Sequence, residues 1–207
     1  MAEMERIAPR LRTEFGMTDL PALKPLPVEE WDASLSRIIE GMHGRPLNVH
    51  GLMAHNPALL NAWWDFRMHG VSGGKLSSRH RELIVLRVAV HMRAWYEWAS
   101  HVERGLAAGL TIAEIEHVRY GTGGAGWDVD DALILRAVDD CFQHRGISTD
   151  TLRALHDRFS PAQILDILAI HGMYVLLGTI INTWDLELDE SVKLPEGVTR
   201  ETWRGGL

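Results

Sequence analysis

The sequence predicts an all-α protein, a single helical bundle preceded by an irregular amino-terminal arm, and three observations carry that reading. Apolar residues recur at helical spacing through most of the chain. Capping residues stand at the expected offsets in front of several of those runs, and no alternating apolar–polar stretch of useful length calls for a strand. A chain of 207 residues suffices for one well-packed domain. The divisions fall at an arm over residues 1–27, a helical domain over 28–190 and a tail over 191–207.

Taken in order, the arm holds Pro9, Pro21, Pro25 and Pro27 among charged residues, which favours irregular chain laid over a surface. From Val28 to Met42, Trp31, Leu35, Ile38 and Ile39 form an apolar stripe, so a first amphipathic helix is expected there, ending in the Gly41–Pro46 region. Asn56-Pro57 is a cap followed by an N1 proline, and Leu59, Ala62, Trp63 and Phe66 carry a second helix up to the Gly70 and Gly73-Gly74 break. Ser77 and Ser78 open a third, whose run Leu83–Val90 is apolar on nearly every face, as a central bundle helix should be. A bend near Arg93 leads into Trp95–Leu106, stopped at Gly109. Thr111 with Glu114 is a capping box, Asp128 opens a helix through Cys141, and Ser160-Pro161-Ala162-Gln163 combines a capping box with an N1 proline.

The composition narrows the function classes. A net charge of −7 with Lys and Arg scattered gives no footprint for phosphate backbones or anionic lipid, so neither nucleic acid nor a membrane is an expected partner. Cys141 is the one cysteine; it excludes an internal disulfide or dithiol and fits a reducing, cytoplasmic setting. The amino terminus has no uninterrupted apolar stretch of signal-peptide type. The longest apolar run, Ile167–Ile181, carries His171 in its middle and is shorter than the ~18 to 20 residues of a bilayer span.

Catalysis, on this composition, rests on carboxylates and histidines. Glu97 and His101 are four apart on one expected helix, so their side chains share a face. Trp95, Tyr96 and Trp98 hem Glu97, and a carboxylate withdrawn from water has its pKa raised toward values useful in acid–base work. The alternative is an exposed helix pair worth ~0.2–0.5 kcal/mol. Glu82 is the only acid between Lys75 and Arg93 and sits early in its helix, where a dipole or arginine partner is the other explanation. His171 and Tyr174 share a face of the last apolar helix, where a histidine among aliphatic residues is more often a satisfied core group than a ligand. A helix-borne Glu-x-x-x-His is half a metal site, but no second pair completes it, so neither metal nor other cofactor is expected.

Three segments taken together resemble a known family. Leu76–Ala89 with Glu82, then Tyr96-Glu97-Trp98-Ala-Ser-His101, then Gly109–Ile115 look like the core of the carboxymuconolactone decarboxylase and AhpD-like (alkylhydroperoxidase-like) family. Asn48, His55-Asn56-Pro57, His171-Gly-Met-Tyr174 and Leu186–Glu190 extend the likeness over roughly residues 40–190. In the peroxidase branch a glutamate, a Cys-x-x-Cys pair and a histidine form a proton relay around a dithiol. Glu82 and His101 match the relay, whereas Ala94 and Glu97 stand where the cysteines would be, and neither can replace a thiolate. The resemblance therefore implies the decarboxylase branch: an AhpD-like helical bundle, a trimer or hexamer, acting on a small carboxylated or lactone substrate without redox chemistry. Glu97, His101 and Glu82 become the expected catalytic residues, with Tyr96, Trp98, His171 and Tyr174 lining the substrate pocket. A non-catalytic oligomeric binding or scaffold protein of the same fold is the competing reading, and a peroxidase working through Cys141 between subunits a distant third.

Overall fold

A computed structural model describes residues 23–124 and 126–205; most of the expected arm, residues 1–22, lies outside the described residues. Among those described there is no strand. Ten α-helices occur: α1 Ser36–Gly41, α2 Asn48–Met53, α3 Pro57–Met68, α4 Ser78–Met92, α5 Trp95–Ala107, α6 Ile112–His117, α7 Val129–His144, α8 Thr149–His156, α9 Pro161–Trp184 and α10 Arg200–Arg204.

The capping chemistry behaves as the sequence predicts. Asn56 Oδ1 accepts from Leu59 N ahead of Pro57, Ser77 from His80 N, Asp128 from Asp131 N, and Thr111/Glu114 and Ser160/Gln163 close reciprocal boxes. The first helix is broken where one was expected throughout. Residues Val28–Glu30 and Ala33–Leu35 are 3-10 turns and only Ser36–Gly41 is α, because Asp32 caps Ser34 N and restarts the chain. The Gly70–Gly74 break is a π-helical turn, His69–Gly73, held by Asp166, whose oxygens accept from His69 Nε2 at 2.8 Å and Lys75 N at 2.6 Å.

The bundle is built on α4, which packs on α5, α7 and α9. Its residues Leu83–Val90 are all buried, so the run that reads apolar on every face is enclosed on every face. Arg93 ends α4 in the left-handed conformation (φ 52°), which reverses the chain and lays α5 back along α4. Glu82 and His101 flank that turn at comparable distances along their helices, which brings them level.

Two boundaries differ from expectation. The final apolar helix runs 24 residues, Pro161–Trp184, longer than its uninterrupted apolar core and, by length and a mean hydropathy of 2.0 in its best window, enough to cross a bilayer. Half of that window is instead buried against the bundle. The segment set apart as a tail also joins the core: Trp203 of α10 is 1% exposed against Trp95 and Trp98.

Candidate functional site

Helix α5 positions the site. On its inward face Glu97, His101 and Arg104 succeed one another at offsets of four and three residues, so all three side chains follow one stripe. Glu97 and His101 are each 4% exposed. His101 Nδ1 lies 2.6 Å from Glu82 Oε2 of α4, and Arg104 Nη1 lies 2.9 Å from His101 Nε2. A guanidinium only donates, so Nε2 is the accepting nitrogen and Nδ1 carries the proton donated to Glu82. One hydrogen-bond pair thus fixes both the ring orientation and the tautomer.

Glu97 stands apart from that chain. Its Oε1 is 4.0 Å from His101 Nε2, beyond hydrogen-bond reach, and its Oε2 is buried with no partner among the described residues. Burial raises the Glu97 pKa to about 8, partly offset by Arg104 and reinforced by Glu82. Burial lowers that of His101, with Glu82 pulling upward and Arg104 and Arg67 downward. At neutral pH the carboxyl holds its proton and the imidazole is uncharged.

The surroundings come from α2, α3 and α9. Tyr174 of α9 sets its ring edge-on to His101, 5.2 Å between centroids, and burial, reinforced by Glu97 and Glu82, pushes its phenol well above the ordinary range. His50 of α2 is buried, accepts from Leu47 N through Nδ1 at 3.1 Å, and is held down to about 3 by burial and by Arg67 and Arg104. Arg67 of α3 lies over the Trp64 ring at 4.7 Å. Above Arg104 opens a cleft of about 190 Å³ whose wall includes Leu47, Ser100, Glu103 and Asp189.

Of the residues predicted for the site, Glu82, Glu97, His101 and Tyr174 come together. Tyr96 lies at the margin: its hydroxyl donates to Asp189 Oδ2, while Asp189 Oδ1 accepts from Asn48 N at 2.7 Å and thereby ties the segment after α9 to α2. Trp98 and His171 are elsewhere. Trp98 follows Glu97 by one residue, about 100° around the helix, so it turns away and stacks on Trp95 at 5.8 Å. There it borders a separate cavity of about 360 Å³ beside His117, Tyr120 and Trp203. His171 leans into the α7 side instead, 5.0 Å from the Phe142 ring, whereas Tyr174 reaches α5. Cys141 is buried on α7, its thiol pushed up by burial and Asp140, away from thiolate character.

Sequence reasoning missed His50, Arg67 and Arg104. Arg104 had a usable signal, since it continues the Glu97–His101 face; His50 and Arg67 enter from other helices through tertiary packing.

This arrangement lies on the segment that a family model matches: residues 57–127 fit the carboxymuconolactone decarboxylase family. The matched segment is similar to that family over 71 of the chain's 207 residues. It holds Arg67, Glu82, Glu97, His101 and Arg104, while His50 and Tyr174 are added from outside it. No curated protein sequence matches the chain. Among solved structures, a peroxidase-related protein from Ralstonia eutropha with an alkylhydroperoxidase AhpD core is 19% identical with a TM-score of 0.71, covering 84% of this chain and 96% of that one. A peroxidase-related protein from Silicibacter sp. is 20% identical with a TM-score of 0.68, over 84% and 92%. The debrominase Bmp8 in complex with 2,3,4-tribromopyrrole is 13% identical with a TM-score of 0.69, over 83% and 94%. At these identities the likeness establishes the AhpD-like fold and nothing of the reaction.

Proposed function

We propose that the chain is an enzyme of the carboxymuconolactone decarboxylase kind, doing acid–base chemistry on a small carboxylated or lactone substrate without dithiol redox. The observation that carries this reading is a carboxyl and an imidazole buried side by side, 4.0 Å apart, whose shared burial moves their pKa values in opposite directions. Two titratable groups separated in this way divide into a general acid and a general base.

In this reaction His101 Nε2 takes the proton from substrate, and the Glu82 carboxylate stabilises the imidazolium that results. Glu97 returns a proton to carbon or oxygen as charge develops there. Isomerisation uses both transfers on the substrate, hydrolysis takes the first proton from water and gives the second to the leaving oxygen, and decarboxylation of a carboxylate needs only the second, delivered to the carbon that loses carbon dioxide; each passes through an anion that must be stabilised. The absence of a thiol from the match positions Ala94 and Glu97, with Cys141 buried on another helix, argues against peroxide reduction.

The same reading includes assembly as a homotrimer or hexamer. Leu165, Leu168 and Leu176 form an exposed apolar stripe along α9, which a second copy would cover.

Turnover of a panel of carboxylated lactones and aromatic-catabolism acids, followed by carbon dioxide release and by ring opening, tests the proposal. Wild-type protein is expected to turn over at least one member, and Glu97→Gln to lose that activity while light scattering gives an unchanged particle mass. An inactive wild type across the panel returns the chain to the binding or scaffold reading; an active Glu97→Gln variant removes the acid assignment.

A further inference from the structure

Among the described residues, two guanidiniums beside Glu97 and His101 have no carboxylate partner. Arg67 and Arg104 both face the cluster, since each shifts His50 and His101 downward by its charge. Neither has a carboxylate oxygen within 4.0 Å among the described residues: Arg104 binds His101 Nε2, and Arg67 has the Trp63 and Trp64 rings and Met68 Sδ. The groups facing them are the Glu82 carboxylate, His50 and His101, both held neutral, the protonated Glu97, and the phenols of Tyr174 and Tyr96. Of these groups Glu82 alone offers a charged oxygen, and its Oε2 is taken up by His101 Nδ1.

A second observation says where an anionic partner enters. Arg104 is the one residue shared between the His101 hydrogen-bond chain and the cleft of about 190 Å³. It lines that cleft and at the same time occupies the unprotonated nitrogen of His101. The acids of the cleft wall are disposed otherwise: Asp189 accepts from Tyr96 and Asn48 N, and Glu103 lies at the exposed rim. Two buried polar atoms without partners, Glu97 Oε2 and Trp63 Nε1, lie on residues of the same cluster. Arg104 itself is exposed, and its one side-chain hydrogen bond among the described residues is the one to His101.

We infer that Arg104 and Arg67 form the receptor for one anionic group of the substrate, and that Arg104 leaves His101 Nε2 to make this contact. Resting on the acid–base reading above, this makes Arg104 both a specificity residue and a cap: the base is uncovered only when a ligand of the right charge arrives. An uncharged lactone leaves Arg104 on the imidazole and the base covered. A carboxylate draws the guanidinium into a charge-assisted pair and frees Nε2 for the reacting atom.

The test uses two probes that share a ring and differ in charge, 5-oxotetrahydrofuran-2-carboxylate and γ-butyrolactone, with binding read by calorimetry and by the ring nitrogens of ¹⁵N-labelled His101. Wild-type protein is expected to prefer the carboxylate by about tenfold or more, the effect of one charge-assisted hydrogen bond. The Nε2 resonance should shift toward a free acceptor on binding the carboxylate and stay still with γ-butyrolactone. In Arg104→Gln the preference should fall to about twofold or less, with Nε2 already free before any ligand is added; Arg104→Lys should restore part of the preference. Arg67→Gln, whose tryptophan contacts put folding at stake, is read only beside its circular dichroism spectrum. A wild type without the preference, failure to bind either probe included, overturns the inference, as does an Arg104→Gln variant that keeps it. Because no turnover is needed, an anion site in a protein inactive on every substrate would end the enzyme reading and leave this one standing; turnover with unchanged discrimination in Arg104→Gln would do the reverse.

Discussion

Glu97 and His101, one helical turn apart on α5, hold their protons against their ordinary tendencies: the acid keeps its own to about pH 8 while the base stays uncharged. The cause is a shared loss of water, which disfavours the charged form of each. Because the two shifts run in opposite directions, the pair is ready for transfer at neutral pH.

Stability should record the Glu97 shift. A carboxyl whose folded pKa stands above its unfolded value binds its proton more strongly in the native state, so stability falls as pH rises from about 4.5 through about 8. Glutamine mimics the protonated form. Urea denaturation at pH 5 and pH 9 should find Glu97→Gln close to wild type at the lower pH and more stable at the higher one; equal pH dependence in the two proteins contradicts the shift.

His50 gives the opposite signature. Its pKa is depressed to about 3 by burial first and by Arg67 and Arg104 second. The unfolded chain takes up its proton near pH 6.5 and the folded one does not, so stability is full above that value and is lost on descending toward pH 3. Asparagine can keep the acceptor for Leu47 N without titrating. Thermal melts of His50→Asn between pH 7 and pH 4 are expected to fall less steeply than those of wild type.

Glu82 acts through His101 rather than on substrate. Replacing it with glutamine leaves a hydrogen-bonding group of the same size but removes the charge that steadies the imidazolium and selects the Nδ1–H tautomer. A loss of about 10²–10⁴ in kcat is expected, the range of a general base put out of action. The acid limb of the kcat/KM profile should move as well, which a purely structural defect would not cause.

Asp189 is a positioning residue of another kind. It joins Tyr96 on α5 to the amino terminus of α2 and so fixes one wall of the cleft. Asp189→Asn can still accept once but cannot serve both donors, and should cost about 1–3 kcal/mol, read as a lower midpoint in urea. Hydrogen exchange should rise at Asn48 and Val49 before it rises in α4.

The sequence made the helices legible wherever a local rule governs them. Asn56-Pro57, Ser77, Thr111/Glu114, Asp128 and Ser160/Gln163 are decided within one turn, and each caps the helix it was expected to cap. Leu83–Val90 betrays its central place by having no polar face. Short helices α8 and α10 carry caps of the same kind, Ser148 on Thr151 N and Thr199 on Thr202 N, whereas the α2 turn has Leu47 at its N-cap and owes its existence to packing on the core. In the site, the Glu97–His101 pairing follows from an offset of four, and Glu82 was placed only through resemblance to a family, since its meeting with His101 depends on the Arg93 reversal. Trp98 was misplaced because adjacency in sequence is divergence on a helix. His171 was misplaced because the small angle separating it from Tyr174 spans the boundary between two grooves.

The most direct measurement is a carbon NMR titration of Glu97 labelled at its side-chain carboxyl, with His101 labelled in the same sample. The account predicts a carboxyl protonated at pH 7 and titrating near pH 8, beside an imidazole that stays neutral with its proton on Nδ1. A Glu97 already ionised at pH 6, or a His101 carrying two protons at neutral pH, would contradict it.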